Sequence, residues 1–220
     1  MKLFYTPIPN LIHKVQVVAI EAGLYDQIER IPTNPFDRDP AHIAANPLSK
    51  VPTLLRDDGS SLYGGPAIYE YLDSLQEGPK MFPPHGEARW TALRHLALGD
   101  GLFDTAVLRV VEKNRPSEVI SQDALDRHTE TMTRCLDILE GEAQEFAGFT
   151  VGLISIACAL IFLNRQTATS DDVTDWREGR PNLAAWFKRF IDRPSFRVHD
   201  DDFRAAWNAG DKSSRTGFPD

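Results

Sequence analysis

Residues 46–72 read Asn46, Pro47, Leu48, Ser49, Lys50, Val51, Pro52, Thr53, Leu54, Leu55, Arg56, then a turn at Asp57 to Ser60, then Ser61, Leu62, Tyr63, Gly64, Gly65, Pro66, Ala67, Ile68, Tyr69, Glu70, Tyr71, Leu72. A proline has no amide to give to a sheet ladder, so Pro52 belongs at the first residue of a strand. Only an X-Pro bond goes cis at modest cost, and a cis bond here would turn the Val51 amide and carbonyl outward, as a docking edge for an extended, peptide-like molecule. Asp57-Asp58-Gly59 between two apolar runs predicts a hairpin. Gly64 and Gly65 suit a turn needing positive φ, and Pro66 suits the first position of a helix running through Leu75.

Working outward, Met1 to Tyr5 predicts a short strand and Leu11 to Gly23 a helix, with apolar residues at Leu11, Ile12, Val15, Val18, Ala19 and Ala22. Tyr25 to Ile31 predicts a weaker strand, and Ala41 to Asn46 a short helix ended by Pro47. This order predicts a small α/β domain over 1–76. Glu77 to Gly86, rich in glycine and proline, predicts a linker. Beyond it, Glu87 to Lys113, Ser121 to Phe146, Thr150 to Gln166 and Asn182 to Asp192 have helical periodicity, so 87–209 predicts an all-helical domain. The first of these helices is expected to turn Trp90, Leu93, Leu96, Ala97 and Gly101 inward. Val151 to Leu163 is uniformly apolar yet well short of the roughly 20 residues that span a bilayer, so it predicts a helix buried on all sides. The polar stretch 210–220 predicts a disordered tail.

At 220 residues, two small domains or one large one are expected. The apolar content of 42% and charged content of 25% suit a soluble globule, and the net charge of −8 argues against nucleic-acid or anionic-membrane partners. No basic segment leads an apolar run at the start, so no secretory leader is expected. Cys135 and Cys158 lie in apolar helical patterns, as core thiols of a reducing compartment do. No histidine pair has metal-ligand spacing on a helix, so no metal is expected.

Lys50-Val51-Pro52-Thr53-Leu54 followed by Leu62-Tyr63, two small residues, Ile68 and Tyr71-Leu72 resembles the glutathione-binding half of the glutathione S-transferase superfamily. The segment from Leu98 through Arg115-Pro116 resembles a bacterial and fungal subgroup with a serine-type site. The resemblance implies a thioredoxin-like N-terminal domain followed by a helical-bundle domain, a cytoplasmic homodimer, and glutathione as cosubstrate. It places Val51 and Pro52 at the cysteinyl part of glutathione, Lys50 at its glycyl carboxylate, and Gly64 and Gly65 at the γ-glutamyl group. There relatives carry an acidic residue and a serine, and restoring them here as Gly64→Glu with Gly65→Ser is expected to tighten glutathione binding. Pro9 falls where serine-type relatives carry the activating serine, leaving Asn10, Thr6 and Tyr5 as candidate catalytic groups. Helix-start amides favour a thiolate at that position. Trp90, Leu96, Phe103, Val107 and Arg109 are candidate substrate contacts, and Asp100 and Asp104 candidate interface residues.

Three functions follow from these residues. One is a glutathione transferase-like enzyme acting on a small, largely apolar electrophile through a non-standard glutathione site. Another is a glutathione-independent isomerase, cyclase or lyase using an interdomain cleft of the same fold, which the bare Gly64-Gly65 pair suggests. The last is a non-catalytic binding or scaffold protein.

Overall fold

In the computed structural model, which describes residues 1–6, 14–169 and 174–197, strand β1 (Lys2–Tyr5) holds an inner position in a four-stranded sheet. β2 (Glu29–Pro32) flanks it in parallel; β3 (Thr53–Leu55) and β4 (Ser61–Tyr63) continue antiparallel on the other side, giving the order β2-β1-β3-β4. Leu3 pairs with Arg30 on one flank and with Leu54 on the other. The parallel pair needs a crossover, and α1 (Lys14–Glu21) provides it with Val15, Val17, Val18 and Ala19 buried. Gly23 ends that helix at φ 70°, where its amide reaches Ile20 and the Leu24 amide reaches Ala19, a left-handed cap that favours glycine. Tyr25–Gln27 forms a short 3-10 turn before β2 rather than part of the strand expected from Tyr25. α2 (Pro40–Ala45) starts on Asp39, whose carboxylate accepts the Ala41 amide at 2.9 Å. α3 (Gly65–Leu75) packs on α1 and buries Ile68, Tyr69 and Leu72. These elements form the thioredoxin-like first unit.

The first unit runs from Met1 to Pro84 and regains the chain at Pro194. Asp73, buried near the end of α3, explains the first extension: its carboxylate accepts the Met81 amide at 2.8 Å and the Phe82 amide at 3.0 Å, so the glycine- and proline-rich segment is fastened rather than free. Lys80 crosses back to the terminal carbonyls of the same helix, at Asp73, Ser74 and Gln76. At the second extension, Ser195 donates to Glu21 of α1 at 2.6 Å and Phe196 is buried. The tail expected over 210–220 lies outside the described residues.

The second unit, His85–Arg193, contains α4 (Gly86–Lys113), α5 (Gln122–Glu142), α6 (Val151–Thr169) and α7 (Pro181–Phe190). α6 is buried from Val151 through Leu160, as its unbroken apolar run predicts. Thr150 caps it unaided, accepting the Leu153 amide at 3.3 Å. α7 lacks a capping side chain of its own; Glu140 of α5 accepts the Asn182 and Leu183 amides at 3.1 and 2.8 Å instead. The buried stripe of α4 is Ala92, His95, Leu96, Gly99, Leu102, Ala106 and Val110. Trp90, Ala97 and Gly101, expected inward, are exposed. The reason is close contact with α6. A Cβ on Gly99 would lie 2.6 Å from the Ile156 backbone nitrogen, and one on Gly152 would lie 2.5 Å from His95 Cβ. Each helix thus offers a bare glycine to the other's backbone, and the stripe turns to bring Gly99 inward.

Gly99→Ala tests that contact. Alanine favours the helix by about 1 kcal/mol, whereas overpacking costs about 1–3 kcal/mol, with the upper end expected where the obstacle is backbone. Net destabilisation is the expected result in a denaturant melt. A second prediction concerns Glu142, which accepts Arg94 at 2.8 and 2.9 Å and buried His95 at 2.8 Å. The Arg94 hydrogen bond, followed by that from His95, holds its carboxyl below the ordinary glutamate value against the opposing effect of burial. A depressed folded pKa gives stability that is complete above the unfolded value, about 4.3, and is lost as pH falls through the folded one. Glu142→Gln should therefore cost about 1 kcal/mol at pH 7, and its deficit against the parent protein should shrink in melts below pH ~4.3.

Candidate functional site

Between α2 and β3 the chain is organised by the side chain of Asn46, which is 0% exposed. Its amide nitrogen donates to the Lys50 carbonyl at 3.0 Å and to Thr53 Oγ1 at 2.8 Å; its oxygen accepts the Leu48 amide at 2.9 Å. Thr53, also 0% exposed, turns its hydroxyl proton to the same Lys50 carbonyl at 2.8 Å. His42 Nε2 approaches that oxygen at 3.1 Å, and since a carbonyl only accepts, the proton is on Nε2. The His42 ring in turn stacks on Phe4 of β1, with centroids 5.5 Å apart. Three buried side chains thus converge on one backbone oxygen. Ser49 completes the loop at φ 50°, its hydroxyl reaching the Pro35 carbonyl at 3.2 Å.

The next residue is Val51, and the Val51-Pro52 bond is cis. Among the described residues, nothing bonds to the Val51 amide or carbonyl. Its main chain is an unpaired edge just before β3, with Lys50 exposed beside it.

A second set of unpaired amides lies at the mouth of α3. Gly64 precedes the helix at φ 77°, contributes no capping side chain, and accepts the Ile68 amide at 3.3 Å. Pro66 has no amide, so the Gly65 and Ala67 amides remain, and no described residue bonds to either. An anion is favoured at such a helix start. The structure also explains the bare Gly65: a Cβ there would lie 2.5 Å from Cζ and 2.8 Å from Cε2 of buried Tyr69. Positive φ at Gly64 and the end of the Tyr69 ring beside Gly65 both bear against accommodating the pair Gly64→Glu and Gly65→Ser that the sequence reading expects to tighten glutathione binding.

Of the candidate catalytic groups, Tyr5 is buried at the end of β1. Thr6 gives its hydroxyl proton to the Thr33 carbonyl at 2.9 Å, tying the exits of β1 and β2 together. Asn10 lies outside the described residues. In the second unit, Leu96 is buried, Phe103 packs on Phe162 with centroids 4.9 Å apart, Val107 is half-buried, and Arg109 donates to Thr129 at 3.0 Å. Trp90 stands 63% exposed. Asp100 accepts the Ser155 hydroxyl at 2.6 Å within its own unit, while Asp104 is exposed. Cys158 is buried, and burial pushes the Cys135 thiol up, away from a reactive thiolate. Among the described residues, no group of three or more His, Cys, Asp or Glu is placed to hold a metal ion, and no helix is long and apolar enough to cross a membrane.

The N-terminal glutathione S-transferase domain family matches residues 11–75 and the C-terminal one residues 122–189. The uncharacterized GST-like protein YibF of Escherichia coli (strain K12) is 32% identical over 201 residues, covering 89% of this chain and 96% of that protein. The chain belongs to the glutathione S-transferase superfamily. A glutathione transferase family member from Pseudomonas fluorescens Pf-5, crystallised with bound glutathione, is 34% identical with a TM-score of 0.80, over 89% of this chain and 96% of that one. A glutathione S-transferase from Methylobacillus flagellatus KT, with glutathione bound, is 28% identical with a TM-score of 0.80, over 89% and 96%. The glutathione transferase fold expected from the sequence is the fold observed.

Asn46, Thr53 and Tyr69 were not among the candidate residues. The signal for Asn46 was its position, an asparagine between a helix end and a proline, where a short side chain carrying both donor and acceptor serves loop amides and carbonyls. Nothing in the sequence indicates that Tyr69 folds back over Gly65. Gly65→Ser should lower the unfolding midpoint, by about 1–3 kcal/mol of overpacking. Tyr69→Ala should recover part of that loss in the Gly65→Ser background while destabilising the parent, a coupling that a double-mutant cycle in denaturant measures.

Proposed function

We propose that this protein is a glutathione transferase-type enzyme with a non-standard glutathione site, acting on a small, largely apolar electrophile. The observation that supports the reading is the unpaired Val51 main chain beside exposed Lys50, in a chain 34% identical to a relative crystallised with glutathione. In this reading the cysteinyl backbone of glutathione pairs with Val51, Lys50 meets the glycyl carboxylate, and the Gly65 and Ala67 amides hold the γ-glutamyl carboxylate. The thiolate sulfur attacks the electrophilic carbon, forming a C–S bond as the displaced electron pair leaves with the departing or acceptor group. With the Thr6 hydroxyl committed to Thr33 and Tyr5 buried, the sulfur contact is assigned to Asn10 on sequence grounds. Cytoplasmic location and a homodimer belong to the same proposal. The exposed face of α4 that carries Trp90, Ala97, Gly101, Asp104 and Leu108 at helical spacing supports the dimer.

The absence of side-chain anchors at 64–65 sets the expected affinity. Each missing charged hydrogen bond is worth about 1.5–3 kcal/mol, so binding in the micromolar to low-millimolar range is expected rather than tighter. Calorimetric titration with glutathione measures it, and Lys50→Ala should weaken it several-fold. No heat of binding up to ~10 mM, a free energy weaker than about 3 kcal/mol, would retire conjugation and leave a glutathione-independent enzyme as the reading that the bare Gly64-Gly65 pair favours.

A further inference from the structure

We propose that Asn46, Thr53 and His42 are positioning residues whose convergence on the Lys50 carbonyl holds the Val51 main chain ready to pair with an extended peptide ligand. The inference rests on the reading that glutathione binds at Val51. None of the three needs to touch that ligand. Their polar atoms are spent inside the loop: the Asn46 amide on Lys50, Thr53 and Leu48, the Thr53 hydroxyl on Lys50, and His42 Nε2 on Lys50. The Asn46 backbone is committed as well, its amide to the His42 carbonyl at 2.8 Å and its carbonyl to the Ser49 amide at 2.9 Å. The residues on both sides of the Val51 edge are therefore pinned, Lys50 by this cluster and Thr53 by its pairing with Phe4 and Tyr63.

A two-sided anchor of this kind acts on affinity through order. A flexible main chain must be fixed when a ligand pairs with it, at a cost in binding, whereas an edge already fixed carries no such cost. Asparagine is the side chain that fits the role. Aspartate has the same shape and can still accept the Leu48 amide, but it has no donor for Lys50 or Thr53 and places an acceptor against each. Valine at 53 keeps the volume and strand preference of threonine and removes only the hydroxyl.

The test uses the full chain with Asn46→Asp, Thr53→Val and Thr53→Ser, each measured by unfolding midpoint, by calorimetric titration with glutathione scaled to folded protein, and by the 15N–1H spectrum. Thr53→Val is expected to keep a cooperative melt, to raise the Kd for glutathione about tenfold, and to broaden or split the Ser49, Lys50 and Val51 resonances while those of β1 and α3 stay in place. Thr53→Ser restores the hydroxyl and should return both Kd and spectrum to the parent's. Asn46→Asp should show the larger loss; if it fails to fold, the two Thr53 variants decide. Unchanged affinity in Thr53→Val, or a loss that merely follows the unfolded fraction, overturns the proposal. If the parent protein binds no glutathione, the functional reading fails separately, and the spectra decide alone. Splitting confined to 49–51 then supports the ordering role, and an undisturbed loop in Thr53→Val overturns it.

Discussion

A buried side-chain amide has to place its donor and acceptor groups among protein partners, because leaving one unmet costs about 1–3 kcal/mol out of a total stability of about 5–15 kcal/mol. Asn46 meets this demand entirely within the stretch from His42 to Thr53. The end of α2, the loop and the start of β3 therefore share one arrangement. Through His42 stacked on Phe4, the same arrangement is keyed to the central strand. The edge at Val51 is an outcome of this internal accounting, since the Asn46, Thr53 and His42 side chains behind it are already engaged.

The second unit follows a different constraint, steric rather than polar. α4 and α6 approach until their backbones leave no room for a methyl group at Gly99 or Gly152. Close approach increases dispersion contact along both helices. It also brings the Ser155 hydroxyl to the Asp100 carboxylate, so a polar pair sits beside the glycine contact. α7 depends on its neighbours in another way, since the cap it lacks comes from Glu140 of α5. The start of α7 and the facing sides of α4 and α6 are thus completed by partners distant in sequence.

That distinction explains what the sequence disclosed. Period-based features were legible: the apolar run of α6, the Asp57-Asp58-Gly59 hairpin, Pro52 before β3 and the helix opened by Gly64-Gly65-Pro66. Features set by tertiary neighbours were not. The face of α4 was misjudged because Trp90 resembles a core residue in any local window, whereas Gly99, which carries no hydrophobic signal, is what α6 selects. The linker was placed at 77–86 on composition, but composition cannot show that Asp73 holds the Met81 and Phe82 amides. At the candidate site, the unpaired backbone was readable from Val51-Pro52, and the side chains behind it were not, since one asparagine before one proline does not reveal that its side chain bonds to Lys50, Thr53 and Leu48. Nor could the sequence show what surrounds the two glycines at 64–65. In the structure one occupies positive φ and the other lies beneath a tyrosine ring.

The contact between Ser195 and Glu21 bears on how the molecule is made. A ribosome releases the N-terminal half first, and domains generally fold as units in that order. Here the first unit is finished by residues near the other end: Ser195 and Phe196 come to α1 only after the whole helical unit has been synthesised. Until then the α1 surface that receives them stays open to solvent and to chaperones. The first domain to emerge from translation is thus the last to be completed, and the closing stitch couples its maturation to synthesis of the whole helical unit.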